Sequence, residues 1–279
     1  MPITAETTSR FVQAGDVRVH YHEAGSGPAL ICIHGGAPGA FGWGNFGVSM
    51  EALSKHFRTI IVDLPGYGHS DKPPIEGGQY GFYAKIFIDM LDALGLQKAH
   101  IMGMATGGAA AIKMAIDYPE RIDRLLLVSA AGGLMLYQPQ PTEGMKVIRG
   151  YYGGAGPSLE KMRRYLEMII FDHGLITDEL VQERYDASVD PAFRAQAPEG
   201  RPGSIAVQEP LWKDLSQIKA RTLVMWGRDN RVQGFDNAIF MLNQIPDVEV
   251  HIYGKTGLWI PWERPAGFVA QVVGFLTAD

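Results

Sequence analysis

Lys98-Ala-His-Ile-Met-Gly-Met-Ala-Thr-Gly-Gly108 runs from a short apolar strand pattern directly into a glycine-flanked turn. Ala109 to Tyr118 continues it as a helical pattern that Pro119 stops. A Gly-x-nucleophile-x-Gly turn between strand and helix lifts its central side chain out of the bend, and small flanking residues let the backbone turn that sharply. The central residue here is Ala105, and a methyl group cannot attack a carbonyl.

Outward from this turn, strands and helices alternate. Val17 to His22 alternates like a half-exposed strand, whereas Ala29 to Ile33, Thr59 to Val62, Arg124 to Val128 and Thr222 to Trp226 are unbroken apolar runs. Such runs suit central strands covered on both faces, and Val248 to Tyr253 supplies a more polar last strand. Helical patterns lie between them at Tyr83–Leu94, Ala109–Ile116, Phe235–Leu242 and Pro265–Leu276. The fold class this predicts is α/β, a mostly parallel central sheet flanked by helices. The alternation breaks over 134–215, where Leu159, Met162, Leu166, Ile169 and Ile170 share one helical face and Ser158 and Thr177 suit N-caps. That stretch is expected to be a helical cap inserted between two parts of the core, 1–133 and 216–279. It should sit over the carboxyl ends of the strands, where open α/β sheets bind ligands.

The 279 residues are 46% hydrophobic and 20% charged, enough for a large core. A net charge of −5 without basic clusters argues against nucleic-acid or anionic-membrane partners. The chain shows no apolar run of membrane-spanning length and no signal-peptide pattern at Met1, so a soluble, cytoplasmic protein is expected. Cys32, the single cysteine, reads as a buried strand thiol. No Cys/His cluster has metal spacing and no glycine-rich turn carries a P-loop lysine, so no cofactor and no metal are expected.

Three further segments concern chemistry. His34-Gly-Gly-Ala-Pro-Gly39 is a turn whose backbone N–H groups could face a developing oxyanion, with the Thr106 N–H as a second donor. Trp226-Gly-Arg-Asp229 places an acid after a late strand. A histidine would be expected later still, but Gly257 is followed by Leu258 and Trp259.

These segments, together with Asp63-Leu-Pro-Gly-Tyr-Gly-His-Ser70 and the run from His34 to Asn45, closely resemble the meta-cleavage-product hydrolases. These carbon–carbon bond hydrolases belong to the α/β-hydrolase superfamily, and the resemblance spans Val17 to Phe275. It implies a Ser-His-Asp triad that hydrolyses vinylogous diketones, with Ala105 at the nucleophile, Leu258 at the histidine and Asp229 at the acid. It also implies that Ala37 and Thr106 supply oxyanion-hole amides. Gly36, Asn45, Arg184 and Trp259 would contact substrate, and Met104 replaces the usual asparagine beside the nucleophile. Homodimers or larger homo-oligomers are implied as well.

None of the eight histidines has a motif that replaces the missing one. His34 reads as a turn-shaping residue, His251 lies in the last strand, and His20, His22, His56, His69, His100 and His173 are unplaced. Asp229 is either a desolvated base with a raised pKa or a relic held by backbone N–H groups and Arg228 or Arg231. Trp43, Trp259, Trp262, Met102 and Met104 are expected to make the pocket apolar. The ligand expected is a small apolar oxo acid or aromatic-derived carboxylate, with Arg184 pairing its carboxylate. Three functions fit: a hydrolase scaffold, natural or engineered, that binds a dienoate without turning it over; a cofactor-free lyase, isomerase or decarboxylase; or a non-enzymatic ligand-binding protein.

Overall fold

The computed structural model describes residues 2–75, 77–191 and 209–278. Its strands are β1 (Ser9–Ala14), β2 (Val17–Ala24), β3 (Ala29–Ile33), β4 (Arg58–Val62), β5 (Ala99–Met104), β6 (Ile122–Val128), β7 (Arg221–Gly227) and β8 (Val248–Tyr253). They form one sheet in the order β1-β2-β4-β3-β5-β6-β7-β8, antiparallel at β1/β2 and β2/β4 and parallel elsewhere. The described helices are α1 (Ala5–Thr8), α2 (Gly42–Leu53), α3 (Gln79–Ala93), α4 (Thr106–Asp117), α5 (Glu143–Gly150), α6 (Leu159–Ile169), α7 (Asp178–Val189), α8 (Asp236–Gln244), α9 (Ile260–Glu263) and α10 (Pro265–Thr277).

The unbroken apolar strands are buried on both sides because successive side chains point to opposite faces. Ile31 and Ile33 of β3 pack into one cluster with Tyr83, Phe87, Ile112 and Met241 of α3, α4 and α8. Leu30 and Cys32 of the same strand join the other cluster, with Phe46 and Met50 of α2 and Phe268 and Phe275 of α10. Cys32 is fully buried, and burial pushes its thiol pKa far up.

Between β6 and β7 the described residues contain α5, α6 and α7 and no strand. The Ser158 hydroxyl accepts the Lys161 N–H and that of Thr177 accepts the Leu180 N–H, each at 3.2 Å, so both helices begin where side chains satisfy orphan amides. Met162, Leu166 and Ile169 of α6 turn into the core cluster that holds α2 and α10. Residues 192–208 of the expected insertion lie outside the described residues.

Two features depart from the sequence expectation. β2 is not half-exposed, because α1, β1 and α2 cover it and His20 and His22 are buried. The elements α1, β1 and α2 themselves had no clear signature. α1 is one turn long, β1 alternates weakly at the sheet edge, and α2 carries Gly42, Gly44 and Gly47, which blur any helical pattern.

Candidate functional site

Ala105 is the hinge between β5 and α4, and its backbone lies at φ 47°, ψ −115°. A non-glycine residue held there stores about 1–3 kcal/mol of strain. The surroundings enforce it. Ala105 N–H donates to the Val128 carbonyl at 3.2 Å, and the Ala105 carbonyl accepts from Ala131 N–H at 2.9 Å. The strand must also pass against the helix start: a Cβ on Gly103 would stand 2.3 Å from the Gly107 carbonyl oxygen. Thr106 is the first residue of α4, so its N–H has no acceptor within the helix.

The Ala105 methyl faces a cavity of about 170 Å³. Gly36, Ala37, Asn45, Met104, Thr106, Arg184, Leu258 and Trp259 all line it, so most residues singled out from sequence converge here. Of the other residues expected to make this cavity apolar, Met102 lies in the core, Trp262 stacks behind Trp259 at 5.1 Å, and Trp43 lines a different cavity. Tyr80, Tyr165, Arg149 and Gln233 also line the elbow cavity and had no sequence signal. They arrive from a helix start, the inserted helices and a loop, and only packing brings them together.

Arg184 brings a buried charge to the elbow cavity. It is 2% exposed, and its Nε and Nη1 have no hydrogen-bond partner among the described residues. Burial pushes its pKa down from the ordinary arginine value, while Tyr165, its hydrogen-bond partner, and Glu183 push it back. Arginine stays protonated under such conditions. The guanidinium lies 5.0 Å from the Trp259 ring centre and 6.0 Å from that of Phe41, so aromatic faces carry part of its charge. Burial pushes the Tyr80 hydroxyl up to about 12, with Glu209 and Tyr83 adding to it, so that phenol stays neutral. Asn45 donates its side-chain N–H to the Phe41 carbonyl at 2.8 Å, and its own carbonyl accepts the Trp259 indole N–H at 3.3 Å. Leu258 is buried, and its N–H donates to the Ile169 carbonyl at 2.8 Å, pinning the loop before α9 to the end of α6.

Asp229 is elsewhere. It does not line the elbow cavity but a separate cleft of about 730 Å³, beside Arg228, Arg231 and Lys146. Its side chain is 27% exposed, accepts the Thr256 N–H at 3.3 Å and lies 3.5 Å from the Arg228 guanidinium. Of the two sequence readings of Asp229, the desolvated and unpaired carboxylate is corrected, while a carboxylate held by a backbone N–H and Arg228 matches these contacts. Arg231 pairs with Glu143 instead.

His34 is fully buried, with Nδ1 2.7 Å from the Gly35 carbonyl and Nε2 accepting the Leu64 N–H at 2.9 Å. Burial pushes its pKa down to about 4, so it is a neutral strut beneath the glycine-rich turn. His20, His22 and His69, unplaced in the sequence, converge on a further cavity of about 630 Å³ behind that turn. No group of three or more His, Cys, Asp or Glu side chains among the described residues could hold a metal ion. No described helix is long and apolar enough to cross a membrane.

Comparison with known proteins agrees with this architecture. Residues 28–157 match the alpha/beta hydrolase fold family. The chain is 34% identical to a 2-hydroxy-6-oxononadienedioate/2-hydroxy-6-oxononatrienedioate hydrolase of Paraburkholderia phymatum, over 98% of this chain and 97% of that protein. It is 36% identical to a 2-hydroxy-6-oxo-6-phenylhexa-2,4-dienoate hydrolase of Burkholderia cepacia, over 98% of each. Among solved structures, a serine-to-alanine mutant of a meta-cleavage product hydrolase from Pseudomonas fluorescens, complexed with acetates, superposes with a TM-score of 0.84. That match is 32% identical and covers 96% of this chain and 97% of that one.

Proposed function

The chain belongs to the α/β-hydrolase superfamily, beside the meta-cleavage-product hydrolases, and from that footing we propose that it binds a 2-hydroxy-6-oxo-dienoate-type acid without hydrolysing it. In this reading Ala105, Leu258 and Asp229 occupy the nucleophile, histidine and acid positions. Ala37 and Thr106 offer the oxyanion-hole amides, α5 to α7 act as a cap, and the ligand is held as a carboxylate.

The observation that carries the reading is Arg184, buried at the cavity wall with unpartnered N–H groups. A buried cation with unused donors costs free energy that a carboxylate ligand would return, because a guanidinium matches a carboxylate in geometry and charge. Ala105 and Leu258 supply neither a nucleophile nor a base, while the Thr106 amide and the strained turn persist. The cavity thus keeps the means to hold an oxo acid and lacks the means to attack it.

Titration of the unaltered chain with a dienoate ring-fission product should show binding with the ligand recovered intact. Arg184→Gln should weaken that binding by about 10- to 100-fold, the loss of charge-assisted hydrogen bonds. The double change Ala105→Ser with Leu258→His should bring back carbon–carbon cleavage. Cleavage by the unaltered chain at the double variant's rate would refute the reading, as would the absence of binding. Conversion of the dienoate to a product of equal mass would instead favour an isomerase, and release of carbon dioxide a decarboxylase.

A further inference from the structure

The cavity behind the glycine-rich turn contains a hydrogen-bonded line of three side chains. Ser9 Oγ lies 2.9 Å from His20 Nε2, and His20 Nδ1 lies 2.8 Å from Asp63 Oδ2. All three line the cavity of about 630 Å³. They come from the start of β1, the middle of β2 and the loop after β4, so no sequence motif joins them.

The direction of the two hydrogen bonds follows from charge. Burial pushes the Asp63 pKa up, but the hydrogen bond from His20, the proximity of His34 and the amides of Gly42 and His69 outweigh it and hold the carboxyl at about 2. The carboxylate is therefore ionised and can only accept. A neutral His20 then carries its proton on Nδ1, which leaves the Nε2 lone pair for the Ser9 hydroxyl. Nucleophile, base and orienting acid thus stand in the order that activates a hydroxyl.

The line is held in place. Gly42 N–H donates to Asp63 Oδ1 at 2.6 Å and His69 N–H to Oδ2 at 2.9 Å. The His20 N–H donates to Ser70 Oγ at 2.9 Å, and its ring centre lies 4.8 to 5.0 Å from those of Phe11, His22 and His69. His20 and Asp63 are 1% and 2% exposed, whereas Ser9 is only partly buried. Base and acid are desolvated, and the hydroxyl can be reached.

The wall gives the ligand's charge. Glu6, Glu183 and Asp186 line the cavity with the rings of Phe41 and Trp43, and the described lining residues include no Lys or Arg. Carboxylates and aromatic faces together favour a cation. We propose that Ser9, His20 and Asp63 form a second acyl-accepting site, for small esters that carry a positive charge. Ser9 Oγ bonds to the ester carbonyl carbon as its proton passes to His20 Nε2. The carbon–oxygen bond to the alcohol then breaks, and the alcohol leaves with the proton from His20. Water attacks the acyl-serine with His20 again as base, releasing the carboxylic acid and restoring the hydroxyl. This site is independent of the reading given to the Ala105 cavity.

The test is a fluorophosphonate probe on the intact chain, with the adduct mapped by peptide mass spectrometry. The adduct is expected on Ser9, absent from Ser9→Ala, and about 100-fold slower to form in His20→Gln, the loss of a general base. Thermal unfolding of both variants checks that they fold. Ser9→Ala, at a partly exposed strand start, keeps the comparison usable should His20→Gln unfold. No adduct, an adduct elsewhere, or equal labelling of a folded His20→Gln would overturn the proposal and leave the three residues as a structural tie. Acetylthiocholine should acylate Ser9 at least ten times faster than an anionic acetate ester. Equal or reversed rates would overturn the charge assignment.

Discussion

The elbow cavity and the cavity behind it meet at Ala40, which lines both, yet they are built in opposite ways. The first has a sharp strand-to-helix turn, with Ala105 strained at φ 47° and the Thr106 amide at a helix start, but its described lining includes no Ser, Cys, His, Asp or Glu. Its buried charge among the described lining residues is the Arg184 cation. The second has no such turn, but it has a hydroxyl, an imidazole and an ionised carboxylate in line, with further carboxylates in its wall. Backbone geometry and reactive side chains are therefore specified separately. The glycines of the turn are required by strand–helix packing whatever residue stands at its centre, since a Cβ on Gly103 or Gly107 would meet backbone atoms at 2.3 to 2.4 Å.

Acid gives the largest effect by which to test the pairing. His34 lies beneath the glycine-rich turn and His22 beside the line of Ser9, His20 and Asp63, and burial holds both near pKa 4, with His20 assisting at His22. Their folded values lie below the unfolded value of about 6.5, so the unfolded chain binds more protons between these limits. Stability is full above that window and falls as pH drops towards 4, by about 3 kcal/mol for each histidine. Urea unfolding at pH 7 and pH 4 should show the loss, and His22→Gln should remove the His22 half alone. A flat profile would mean that neither histidine is buried neutral. Asp63 acts in a lower window: its folded value of about 2 lies below the ordinary carboxyl value, so its contribution is lost only as pH falls from about 4 towards 2.

A smaller effect tests the shared wall. Gly39 has φ +66°, and a Cβ there would stand 2.0 Å from the Arg184 carbonyl oxygen. Gly39→Ala should cost about 2 kcal/mol and shift Arg184, so ligand affinity in the elbow cavity falls with stability. Calorimetry and ligand titration on one sample would show both; a change in stability alone would separate the turn from Arg184. The smallest effect should be a gain. Ala105→Gly relieves the strained backbone at some cost in chain entropy and should stabilise the fold by about 1 kcal/mol, seen as a slightly higher melting temperature. A loss would show that the methyl packs usefully against the cavity.

Much of the fold was legible because the central strands are buried on both faces and read as unbroken apolar runs, with β3 and β8 recovered at their observed bounds. Elements with weak periodicity, α1, β1 and α2, were not legible, although they cover His20 and His22. In the site, Ala105, Thr106, Gly36, Ala37, Asn45, Arg184, Leu258 and Trp259 do share one cavity. Asp229 does not, because its side chain is satisfied by the Thr256 amide and Arg228 on another side of the loop.

The sequence by itself determined the alternation of strands and helices and the glycine-flanked turn with alanine at its centre, because each is written in neighbouring residues. Tertiary structure alone decided which way Asp229 faces, that Arg184 is buried with unused donors, and that residues 9, 20 and 63 meet in one hydrogen-bonded line. The physical reason is range. Local spacing fixes backbone shape, while the pairing of charges and hydroxyls depends on which distant strands the sheet order sets side by side.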